Sequence, residues 1–126
     1  MTPPQLLHIA GQLLVQPPTS MRRCWQRGCA ALTRLALEQG LQRYWQRSAA
    51  GVAHLPMRHQ FLVLELDRFG GPGQARMART VWHGLSRAMH HHTYELPPTT
   101  AELQGWHREV SALLAALVNR TPPTST

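Results

Sequence analysis

The chain has 126 residues, with thirteen basic and six acidic side chains, eight histidines and a net charge of +7. That length is one domain, long enough to bury a core without disulfides or metals. Periodic apolar residues and a charged fraction of only 15% exclude a disordered chain. All thirteen cations are Arg. A GC-rich coding sequence accounts for Arg in place of Lys, but the excess of charge remains and points to an anionic partner, nucleic acid first.

The first residues lack the positive start of a signal peptide. The longest apolar run, residues 112–118, is far short of a membrane span. Cys24 and Cys29 stand about 140° apart on a helix, so they are expected to remain free thiols, which suits a reducing compartment. These features predict a soluble, cytoplasmic protein with no membrane partner. A single helical domain is expected over residues 1–119, with a disordered tail over 120–126.

In chain order, Thr2 caps a first helix with Pro3 at its first position. Leu6, Ile9, Ala10 and Leu13 form its apolar face, widened by Leu7 and Leu14. Pro17 and Pro18 end it, and Thr19 or Ser20 caps a long helix over about 20–48. Met21, Cys24/Trp25, Gly28, Leu32 and Leu35 make one apolar stripe there. Leu37, Leu41, Tyr44 and Trp45 continue it with a rotation. So broad a surface belongs at the centre of a bundle or at a dimer interface. Its six arginines read as a solvated outer face.

Gly51 and Pro56 punctuate a loop, and a third helix follows over about 56–69. Phe61, Leu62, Leu64 and Leu66 are expected to face mostly inward. FLVLEL also has strand character, but no second strand-like segment exists to pair with it. Residues 70–73 are a turn without the Lys-Ser/Thr of a phosphate loop. Residues 74–95, QARMARTVWHGLSRAMHHHTYE, read as one helix stopped by Pro97 and Pro98. Thr99 and Glu102 form a capping box for the last helix, which runs to about 119 with a seam of Leu103, Trp106, Val110, Leu113 and Leu117. The fold class predicted is all-α: an antiparallel bundle of about five helices, its core drawn mainly from the second, fourth and fifth. The four tryptophans read as core fillers.

The fourth helix concentrates the chemistry. Ala78, Val81, Trp82, Leu85 and Met89 recur at three- and four-residue steps on one side. Arg76, Arg79, His83, Arg87 and His90/His91 recur at the same steps on another, and half of the histidines lie between His83 and His92. Three consecutive histidines on a helix point about 100° apart, so they do not converge on one ion. No metal site and no cofactor are expected. There is no G-x-S-x-G, and six scattered acids offer no paired-carboxylate site.

What remains is metal-free phosphodiester chemistry. A His near neutral pH can move the proton of a 2′-hydroxyl or of the leaving oxygen, and an Arg can stabilise charge on the phosphoryl oxygens. The bland reading of the same residues is structural. Arg87 would pair with Glu38 or Glu65 inside the bundle, and the histidines would complement the dipole at a helix C-terminus.

Arg87-Ala-Met-His-His-His92 resembles the Arg-x4–6-His motif of the HEPN domains, all-α bundles many of which are metal-independent RNases. The segment over 28–45, GCAALTRLALEQGLQRYW, looks like the R-x-A-L-E segment of that family's first core helix. The stretch LSRAMHHHTYELPPT is similar to small actinobacterial members. The resemblance covers about residues 21–117. It implies a homodimer whose two motifs share one site, with Arg87 as phosphate clamp, His92 or His91 as general acid/base, and RNA along Arg76, Arg79, His83 and His90. Helix geometry favours His91 and family spacing favours His92. Active members usually carry a polar residue where this chain has Ala88. The resemblance also implies toxin–antitoxin or defence relatives, and a rival role as a non-catalytic module holding RNA or an antitoxin-like protein partner.

Overall fold

The computed structural model describes residues 1–67, 73–90 and 96–119. These form five α-helices and two short 3₁₀ turns, with no strand among the described residues. The helices are α1 (Pro3–Val15), α2 (Trp25–Ser48), α3 (Met57–Leu66), α4 (Gln74–Met89) and α5 (Thr100–Asn119). None is long and apolar enough to cross a membrane. The expected tail, 120–126, lies outside the described residues.

Local chemistry explains most of the boundaries. At α1 the Thr2 hydroxyl accepts from the Gln5 amide at 3.3 Å, and the Gln5 side chain accepts from the Thr2 amide at 2.8 Å. At α5 the Thr99 hydroxyl accepts from the Glu102 amide at 3.1 Å, and the Glu102 carboxylate accepts from the Thr99 amide at 3.0 Å. Both boxes satisfy amides that the first helical turn leaves without partners.

α2 is the hub. It packs on α1, α4 and α5, and its most extensive partner is α1. The first helix therefore contributes as much to the core as the fourth and fifth, contrary to expectation. Leu13 approaches Gly28 and the Cys29 thiol donates to Ala10 O, so α1 runs antiparallel to α2. Arg34 meets Met89, whereas Leu37 sits beside Ala78 and Val81, so α4 is also antiparallel to α2. α5 runs parallel to α2, with Leu114 seated on Gly40. A side chain at position 40 would meet the Leu114 methyl and force that side chain to shift, so Gly suits this close contact.

The sequence pattern misplaces three details. α2 begins at Trp25 rather than near residue 20, because Thr19–Met21 forms a separate 3₁₀ turn after Pro18. Its buried residues in the first half are Cys29, Ala30, Thr33 and Ala36, while Leu35 is exposed. In this half small residues sit where backbones approach, so the largest side chains do not mark its inner face; in the second half Leu37, Leu41, Tyr44 and Trp45 are buried as expected. In α3 only Phe61 and Leu64 of the four expected core residues are buried; Leu62 and Leu66 are 46% and 75% exposed. The inward face is Met57, Gln60, Phe61 and Leu64, a three–four step that leaves Leu62 and Leu66 outside.

Gln60, buried, serves the loop before α3. Its Nε2 donates to Gln42 Oε1 and to Leu55 O, each at 3.0 Å, and Gln42 Nε2 donates to Ala53 O at 2.8 Å. Two glutamines thus fasten residues 53–55 to α2 and α3. The tryptophans act as expected: Trp45 is buried, and Trp25, Trp82 and Trp106 pack on the core.

Candidate functional site

α4 is the most sharply two-sided helix of the chain. At about 100° per residue, Arg76, Arg79, His83, Arg87 and His90 fall within an arc of about 80°. Ala78, Val81, Leu85 and Ala88 occupy an arc about 180° away and are all buried. Trp82 and Met89 flank that apolar face. On the other side Arg76, His83, Arg87 and His90 are exposed, and Arg79 is half-buried. From Arg76 to His90 the stripe is about 21 Å long at about 1.5 Å per residue.

The stripe is not uniform. Arg79 Nη1 lies 3.0 Å from Glu65 Oε2 on α3, and Arg76 Nε lies 3.8 Å from Glu65 Oε1. Glu65 therefore neutralises much of the N-terminal half. Two of the residues expected to meet RNA, Arg76 and Arg79, are engaged within the chain, Arg79 firmly and Arg76 loosely. His83 stacks its ring edge on Trp82, with centroids 5.1 Å apart. Arg87 forms no salt bridge among the described residues.

The two carboxylates expected to pair with Arg87 have other partners. Glu65 holds Arg79 and Arg76, and Glu38 holds Arg34 at 2.8 Å. The internal ion pair that would have made Arg87 a structural residue is absent among the described residues.

α4 ends at Met89, six residues before the expected limit. His90 is its C-cap, with φ −111° and ψ 19°, and its amide donates to Arg87 O at 3.1 Å, a tightened last bond. Helix formers run out at this point: three His, then Thr and Tyr, lose side-chain freedom in a helix. The comparison of His91 with His92 on one undistorted helix falls on residues that the structure does not describe. Ala88 is 6% exposed and faces the core. Its side chain points away from the stripe, so a small apolar residue is what the packing requires there.

The sequence reading missed the cluster behind the stripe. Arg34 enters the α2–α4 seam. Its guanidinium carbon lies 5.5 Å from the centre of a Trp82 ring, and its Nη1 is 3.4 Å from Met89 Sδ. The Arg34–Glu38 spacing of four could have flagged the ion pair. No sequence signal announces the contacts with Trp82 and Met89. Expected to be solvated, Arg34 instead pins the last turn of α4.

No protein-family model matches this chain, and no curated protein or solved structure matches it either. Among the described residues, no three His, Cys, Asp or Glu side chains come together as ligands for a metal ion. What the arrangement offers is a solvent-facing guanidinium at the end of a well-packed helix, two exposed imidazoles one helical turn to either side, and a chain that leaves the helix into further histidines.

Proposed function

We propose that this chain is a HEPN-like protein that cleaves RNA without a metal. Arg87 binds the scissile phosphate, and His92 or His91 moves the proton. The 2′-hydroxyl attacks phosphorus, the 5′-oxygen leaves with a proton, and the products are a 2′,3′-cyclic phosphate and a 5′-hydroxyl. The fixed positive charge of Arg87 opposes the charge that grows on the phosphoryl oxygens. The observation that carries this reading is that Arg87 is exposed and makes no ion pair with any described carboxylate. A homodimer that brings two copies of Arg87 and the His cluster to one cleft belongs to the same proposal, as does a toxin or defence role.

The test is incubation of the purified protein with mixed RNA in EDTA, beside His91→Ala/His92→Ala. Cleavage that survives EDTA, leaves cyclic phosphate ends and is lost in the double variant supports the proposal. A folded protein that leaves RNA intact at high concentration refutes it.

A second reading has its own observation. Arg76, His83, Arg87 and His90 are exposed along one line on α4. Such a line suits a non-catalytic module that tracks the phosphates of single-stranded RNA. In that case affinity falls steeply with salt, Arg87→Ala flattens the slope, and the RNA is recovered intact.

A further inference from the structure

Two arginines border a cleft at the other end of the bundle. Arg43 and Arg47 are about 14–20 Å further along α2 than Arg34, which marks the level of the α4 C-terminus. There the start of α1 meets the ends of α2 and α5 around a cleft of about 420 Å³. Its walls include Pro3 and Pro4 of α1 and Leu114, Leu117 and Val118 of α5. Gly40 lies at its base, where Leu114 sits on the α2 backbone. Most of the lining is therefore apolar, and the space is in the range that holds a small molecule.

The polar part of the lining is Arg43, Gln46 and Arg47, with no acidic residue among the described residues. Arg47 is fixed in place: its Nη2 donates to Leu117 O at 3.3 Å and its Nε to Arg43 O at 3.4 Å. Neither arginine forms a salt bridge among the described residues. Like charges one helical turn apart repel each other, which weakens the helix unless an anion lies between them. Arg43 and Arg47 stand in that relation beside an apolar cleft. No carboxylate among the described residues forms a salt bridge that would relieve the repulsion.

We propose that this cleft binds an alkyl chain with an anionic head, the chain lying between α1 and α5 and the head between Arg43 and Arg47. Carboxylate and phosphate heads share the chemistry that two guanidiniums recognise. The site is independent of Arg87 and of the RNA reading.

The test is calorimetric titration of the full chain with dodecanoate and with dodecyl phosphate, each below its micelle concentration. Amide shifts of Gly40, Leu114 and Leu117 report the place of binding. One equivalent should bind, the shifts should fall at those residues, and Arg43→Gln/Arg47→Gln should weaken binding at least tenfold. Both substitutions are on the surface, and thermal unfolding verifies that the variant keeps its fold. Dodecanol, which lacks the charge, and inorganic phosphate, which lacks the chain, should each bind at least tenfold more weakly. Tighter binding of one dodecyl anion identifies the preferred head. The proposal is overturned if neither dodecyl anion saturates, if the double variant binds as well as the parent, or if the shifts fall elsewhere.

Discussion

Arg34 and Arg87 sit near the same end of α4 and have opposite surroundings. Arg34 lies in the α2–α4 seam with Glu38, Trp82 and Met89 around it. Arg87 lies on the outer face with no ion pair among the described residues. The difference follows from how the few acids are distributed. With thirteen arginines and six acids, guanidiniums outnumber carboxylates about two to one. Where the acids go decides which arginines serve the fold and which are left for a ligand. The seam captures Glu38, the α3–α4 contact captures Glu65, and Arg87 is left facing solvent.

The largest expected effect comes from Arg87. Under the RNA-cleaving proposal, Arg87→Ala should lower the cleavage rate in EDTA by about 100-fold or more, the typical loss when one charge-stabilising donor is removed. Its stability should change by no more than about 0.5 kcal/mol, since no described contact is broken. Arg34→Ala should show the converse. It strands a half-buried carboxylate and removes the cation from Trp82, so chemical denaturation should register a loss of about 2 kcal/mol. Activity should fall only as far as the end of α4 loosens. If Arg34→Ala leaves stability unchanged while Arg87→Ala unfolds the chain, the contrast between the two arginines is wrong.

Glu65→Gln moves an arginine from one class to the other. It releases Arg79, and with it the weaker hold on Arg76, at a stability change within about 1 kcal/mol because the ion pair is partly exposed. RNA binding should tighten, and the logarithmic salt dependence on single strands should steepen by about 0.7 for each additional phosphate that the freed arginines neutralise. Filter binding across a salt series measures both.

The two thiols provide the smallest effect and the same buried-against-exposed contrast. Cys24 is exposed and Cys29 is buried. Burial pushes the Cys29 thiol above the ordinary range, and its hydrogen bond with Thr33 opposes the shift only in part. One thiol per chain should therefore react quickly with a disulfide reagent, and the second only on unfolding. Because the folded value is the higher one, Cys29 contributes no pH dependence below the unfolded pKa. Its contribution to stability is lost as pH rises through the folded value. Urea midpoints measured across the alkaline range should fall less in Cys29→Ala than in the parent.

Helix type and order were legible because they rest on local chemistry. Thr2 with Pro3, Thr99 with Glu102 and the prolines at 17 and 18 act on their neighbours. The apolar step of α4 was equally plain. The inner face of α2 was legible in its second half, where Leu37, Leu41, Tyr44 and Trp45 are buried, and hidden in its first, where small residues occupy the close contacts. The partner of Arg79 was hidden because Glu65 reaches it from another helix. At the site, the stripe of Arg76, His83, Arg87 and His90 was visible in the spacing, whereas the freedom of Arg87 was not. Among the described residues Glu38 and Glu65 are engaged elsewhere, which only the packing decides. The place of Ala88 was likewise out of reach of a motif, since burial rather than chemistry accounts for it.

The most direct test of the central claim is a side-by-side rate of RNA cleavage in EDTA by the parent chain and Arg87→Ala, with circular dichroism to match their folds. The parent should cleave to cyclic phosphate ends, and the variant should be slower by about 100-fold or more. Equal rates in two equally folded proteins would contradict the claim, because the exposed guanidinium at the end of α4 would then have no part in the chemistry.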